Sequence, residues 1–178
     1  MFVSLTLVCD YISGFIPTFI GNIGLKYIPL FLINYLTSFT HGFLTSLFSS
    51  LMSLLFIPHS LIINPWQYIL DYFFPMLTPV IFSFLKINFQ DRILSLIKIF
   101  LAITTFCIFI YIFHVISGVL FFNTYIWEGF NVWTYSLTYN IFYIGFLVFP
   151  ILLIILPLLC RMLSYYREVL KTKLELGG

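Results

Sequence analysis

The chain has 178 residues, 62% of them hydrophobic and 21% aromatic, with 8% charged and a formal net charge of +2. Soluble domains carry about 25% charged residues, so this composition excludes that class. The basic residues sit at the edges of apolar runs and form no patch, so the small positive charge gives no sign of a nucleic-acid partner.

Apolar runs broken by Gly, Pro, Asn or charge predict an all-α, polytopic membrane protein with lipid around it. Six spans are expected near 2–19, 26–39, 42–58, 66–87, 93–122 and 134–162, a single transmembrane domain over 1–163 with a basic tail at 164–178. The first run has no basic stretch before it and no small-x-small cleavage site, so it reads as a retained span and not a signal peptide. Asp10 lies inside it, either as a structural group or near enough to an edge to reach water. The second and third spans are short and separated weakly around 38–42, and five spans result if they do not both cross.

The fourth span carries "NPWQYILDYFFP", in which Gln67 precedes Asp71 by four residues and shares its helix face, with Tyr68 and Tyr72 paired at the same spacing. In the fifth, His114 lies roughly 12 Å below the outer end at 1.5 Å per residue. Gly118 and Phe122 follow at i+4 and i+8 on the same stripe. Tyr135 and Asn140 open the sixth span, but a five-residue separation places them on different faces of an ideal helix.

Charge sets the expected orientation. Lys86, Arg92 and Lys98 flank the fourth-to-fifth connection, and Arg161, Arg167, Lys171 and Lys173 crowd the C-terminal end. Basic flanks prefer the cytoplasm, so a multi-pass protein of the cell membrane with both termini cytoplasmic is expected. The loops near 20–25, 58–65 and 123–133 then face outward, with Trp66, Trp127 and Trp133 at that edge.

An ionisable residue within a span costs about 2.5–3.5 kcal/mol or more, so it marks function by default. One carboxylate, one imidazole, two amides and many aromatic faces at the outer end suit a small organic cation. The plainer alternative makes the aromatics interface anchors and has Asp71 and His114 bond between helices of a structural subunit. Cys9, Cys107 and Cys160 lie far apart in apolar segments, and His41, His59 and His114 are in different segments, so no metal site or cofactor is expected. There is no H-E-x-x-H, G-x-S-x-G or P-loop, which argues against an enzyme and against nucleotide hydrolysis by this chain.

An ordered set of residues carries a family resemblance: His114, Gly118, Phe121–Phe122, Tyr125, Trp127, Gly129, Phe130, then Tyr135, Ser136, Leu137 and Asn140. With "DYFFPMLTPV" in the fourth span and the pairs Ile16–Pro17 and Ile28–Pro29, it resembles the ThiT family, the thiamine-specific substrate-binding S components of energy-coupling factor (ECF) vitamin transporters. The resemblance implies a six-helix S component that binds thiamine from outside. It implies binding roles for Asp71, Tyr72, His114, Tyr135 and Asn140, with Gln67, Gly118, Phe122 and Trp133 as further candidate contacts. It also implies a transmembrane coupling protein and two cytoplasmic ATPases as partners. The chain departs from the family pattern in having Asp71 where the family has Glu, Phe122 where a Trp is expected, and Ile20, Gly21 and Asn22 near a second expected Trp. The Ala-x-x-x-Ala docking motif of the first helix is not evident, Ser4 and Val8 being the nearest match. An S component for another vitamin, or for the pyrimidine precursor of thiamine, is the alternative within transport.

Overall fold

The computed structural model describes residues 1–16, 23–56, 62, 64–85, 87, 89 and 91–176. Among them are six helices and no strand: α1 (Phe2–Phe15), α2 (Tyr27–Leu36), α3 (Phe39–Phe56), α4 (65–84), α5 (Arg92–Phe121) and α6 (132–176). The expected 20–25 and 58–65 loops lie largely outside the described residues, as do Pro17, Ile20, Gly21, Asn22, His59, Lys86 and the side chains of Lys171 and Lys173.

Local chemistry sets the helix ends. Ile16 turns extended where α1 stops, because the following Pro17 disfavours helical geometry in the residue before it. Thr37 is extended between α2 and α3, with its hydroxyl donating to the Ile33 carbonyl at 2.8 Å. Asn64 caps α4, Asp91 caps α5, and Asn131 forms a reciprocal capping box with Thr134 at the start of α6. That box starts α6 at Val132, two residues ahead of the sequence expectation. At the other end α6 continues to Leu176 and does not stop near 162, since no Gly or Pro interrupts "RMLSYYREVLKTKLEL". This extension is tied down. Tyr35 Oη meets Ser164 Oγ at 2.5 Å, and the Arg167 guanidinium donates to the Leu36 carbonyl at the α2 C-terminus at 2.8 Å.

Two helices change their winding partway. Pro75 has no amide hydrogen for the Asp71 carbonyl, and ahead of it α4 widens into a π turn at Ile69–Phe73, the Phe74 amide bonding back to Ile69. In α6 a second π turn spans Tyr143–Val148, the Phe149 amide bonding back to Ile144, just before Pro150. After Thr78 and Pro79 the α4 backbone tightens to a 3-10 helix, Thr78–Phe84.

The apolar core joins Tyr27, Leu30 and Phe31 of α2 to Met76 and Phe82 of α4, Ile99, Ile103 and Ile110 of α5, and Val148, Leu152 and Leu156 of α6. The contact of α1 with α3 has the opposite character. Thr6, Asp10 and Ser13 face inward from α1, while Ser46, Ser49, Ser50 and Ser53 are buried on α3. Leu5, Val8, Tyr11 and Ile12 of α1 and Phe48, Leu51, Leu54 and Leu55 of α3 point outward. Small polar residues inside and large apolar ones outside are what helices packed in lipid require. By length and apolarity α5 and the 132–169 part of α6 suffice to cross a bilayer.

Candidate ligand-binding site

One end of the bundle, where α2, α4 and α6 begin and α1, α3 and α5 finish, gathers the buried polar groups. Asp71 lies in the π turn of α4 with its carboxylate buried. Its Oδ2 accepts from Gln67 Nε2 and from Ser117 Oγ, each at 2.7 Å, and its Oδ1 meets His114 Nδ1 at 2.9 Å. An ionised carboxylate only accepts, so Nδ1 carries the hydrogen toward Asp71, which leaves Nε2 as the second polar atom of the ring. That Nε2 is buried and has no hydrogen-bond partner among the described residues. Three donors on one carboxylate offset much of the cost of burying it.

Aromatic rings border this charge. Tyr72 follows Asp71 and stacks on Tyr68, with centroids 5.5 Å apart and planes 15° from parallel. Tyr68 is fixed by its hydroxyl contacts with the Ser50 carbonyl and Ser53 Oγ on α3. Tyr143, in the second π turn, meets the His114 ring edge-on at 5.6 Å. Toward the rim, Trp127 packs edge-on against Tyr135 at 5.1 Å and close to Tyr139 at 6.4 Å. A cluster of rings therefore ties the 123–131 connection to the first turns of α6.

The α5–α6 seam closes the site from one side. Gly118 allows it: a Cβ there would lie 3.1 Å from Ser136 Cβ and run into Ser136 Oγ. The Ser136 hydroxyl donates to the Val115 carbonyl at 2.9 Å, and Asn140 Nδ2 donates to the Ser136 carbonyl at 2.9 Å.

A second charged pair stands nearby. Gly24, with φ +74°, makes the turn that brings Lys26 into the bundle at the start of α2. Its ammonium meets Asp10 Oδ1 at 3.1 Å, with both side chains almost fully buried. The same ammonium sits 5.1 Å from the Tyr72 ring centroid.

Of the residues picked from sequence, Asp71, Gln67 and His114 are in direct contact, Tyr72 adjoins them, and Gly118 and Asn140 pack together across the α5–α6 seam. Tyr135 joins Trp127 instead of Asn140, as their five-residue spacing anticipates. Phe122 is half-buried at the C-cap of α5, its amide donating to the Gly118 carbonyl at 3.2 Å. Trp133 is 60% exposed. Ser117, Tyr143 and the Asp10–Lys26 pair were not picked. A serine in an apolar run carries no local signal, and Tyr143 is one of twelve tyrosines.

A family model described as thiamine transporter protein (Thia_YuaJ) matches residues 1–167. The chain is 28% identical over 164 residues to the thiamine transporter ThiT of Bacillus subtilis strain 168, covering 84% of this chain and 83% of that one. A solved structure of ThiT from Listeria monocytogenes superposes with a TM-score of 0.73 at 18% identity, covering 90% of each chain, which shows the fold to be shared. With a match over nearly its whole length, the chain belongs to the thiamine transporter protein family.

Proposed function

We propose that this chain captures thiamine at the outer face of the membrane, as the substrate-binding S component of an ECF-type importer. The family is one of transporters, so the protein acts in transport and not as an enzyme. The observation that carries the ligand reading is the buried Asp71 carboxylate, held by three donors, with the Tyr143 ring edge-on to His114. A thiazolium cation placed beside Asp71 gains a countercharge, and each Tyr or Trp face it meets adds about 0.5–2 kcal/mol by cation–π contact. His114 Nε2 and the Asn140 amide supply hydrogen-bonding edges for the aminopyrimidine. Tyr135 and Trp127 cover the ligand at the rim, Gln67 orients Asp71, and Phe122 takes the position at which the family carries a stacking Trp. Trp133 stands at the pocket mouth as an interface anchor.

In this reading all six helices span the membrane, both termini lie in the cytoplasm, and the site end faces out. Arg92, Lys98, Arg161 and Arg167, all placed toward the opposite end, support that orientation. A transmembrane coupling protein and two cytoplasmic ATPases drive release inward, supplying the nucleotide chemistry for which this sequence has no P-loop.

Titrating the purified protein with thiamine is expected to quench tryptophan fluorescence, chiefly that of Trp127, and to raise the melting temperature. The absence of both effects refutes the reading. Tighter binding of the isolated aminopyrimidine than of thiamine reassigns the ligand to a precursor.

A further inference from the structure

Asp10 and Lys26 are the second buried charged pair of the bundle, and their surroundings go beyond what a helix tie needs. The two side chains are 2% and 5% exposed, and they join α1 to the start of α2. A buried pair used only to hold helices together is weakly stabilising at best, since the desolvation of two ions offsets most of their attraction. This pair also shares its walls with the proposed ligand site. The Lys26 ammonium lies over the Tyr72 ring, whose residue follows Asp71 in the chain. Asp10 Oδ2 is buried and has no hydrogen-bond partner among the described residues, so Asp10 is held mainly by Lys26.

A fixed ammonium beside Tyr72 is a problem for a site that takes a cation. It repels a second positive charge in a region of low dielectric. Neutralised by Asp10, it does so only weakly, and the −1 charge of Asp71 dominates. We infer that Asp10 and Lys26 set the charge selectivity of the ligand site: Asp10 cancels the Lys26 ammonium beside Tyr72, so that the site as a whole favours a cationic ligand over its uncharged isostere. Both are positioning residues that act on the ligand through charge, and the inference rests on the thiamine reading proposed above.

The test is a charge cycle with two ligands: thiamine, and the neutral isostere in which the thiazolium nitrogen is replaced by carbon. Their dissociation constants are measured by calorimetry for the wild-type protein and for Asp10→Asn, Lys26→Met and the double variant, with melting temperatures as a folding control. Asp10→Asn is expected to lower the preference for thiamine over the isostere by about tenfold or more. Lys26→Met is expected to raise it, and the double variant to return within about threefold of the wild type, because charge is again balanced. If Asp10→Asn does not fold, Lys26→Met and the double variant carry the same comparison. A preference that stays constant through the cycle while stability falls makes the pair a helix tie and overturns the inference alone. Wild-type protein that does not bind thiamine overturns the thiamine reading and this inference together.

Discussion

Asp71→Asn is expected to weaken thiamine binding by about a hundredfold, equivalent to roughly 2.7 kcal/mol. Two effects add. The site loses its countercharge, and the new amide nitrogen cannot accept. Placed where Oδ2 was, that nitrogen faces the donors of Gln67 and Ser117; placed where Oδ1 was, it faces His114 Nδ1. Leaving a buried donor unpaired costs about 1–3 kcal/mol. The cheaper arrangement keeps the oxygen on Gln67 and Ser117 and has His114 Nδ1 accept from the new amide, with the ring hydrogen on Nε2. Calorimetry with thiamine and its neutral isostere separates the two roles of the acid. A much larger loss for thiamine marks a countercharge, and equal losses mark a group that only holds helices together.

Gly118→Val is expected to have the largest effect on stability, about 2–3 kcal/mol by overpacking, or a fall of roughly 5–10 °C in melting temperature. A Cβ at 118 runs into Ser136 Oγ and comes within 3.1 Å of Ser136 Cβ, so α5 and α6 must separate or the serine must turn. Turning it breaks the bond to the Val115 carbonyl. Ligand binding should fall as well, because this seam sets the distance between His114 and Tyr143. Gly118→Ala is the milder case, and adding Ser136→Ala to it should restore part of the lost stability. No rescue would mean that the crowding lies elsewhere in the seam.

Sequence reading reached the all-helical membrane fold and the family because both are written in long-range composition and in an ordered motif. It found Gln67 beside Asp71 because both lie on one helix, where a spacing of four is a contact. The bond between Asp71 and His114 crosses 43 positions, and no local pattern announces it. Lys26 looked like a residue at a membrane edge. Only the turn at Gly24 brings it inside to Asp10, sixteen residues earlier on another helix. Helix ends were missed where side chains decide them: Asn131 and Thr134 start α6 early, and Arg167 and Ser164 carry it past the expected stop. The inward polar face of α1 was hidden as well, since a span with apolar residues on its outer side still reads as uniformly apolar.

The π turn that holds Asp71 makes α4 tolerant of a change that no substitution scan would sample. Such a turn stores one surplus residue within an otherwise continuous helix. Deleting a single residue between Ile69 and Phe73 removes no loop and lets the turn revert to α-helical winding. Gln67 and Tyr68 on one side and Met76 and Phe82 on the other would keep their faces, while the residues left in the turn would be re-aimed. A one-residue gap at this point between two family members therefore records a change confined to the turn that presents Asp71, although both chains remain helical throughout.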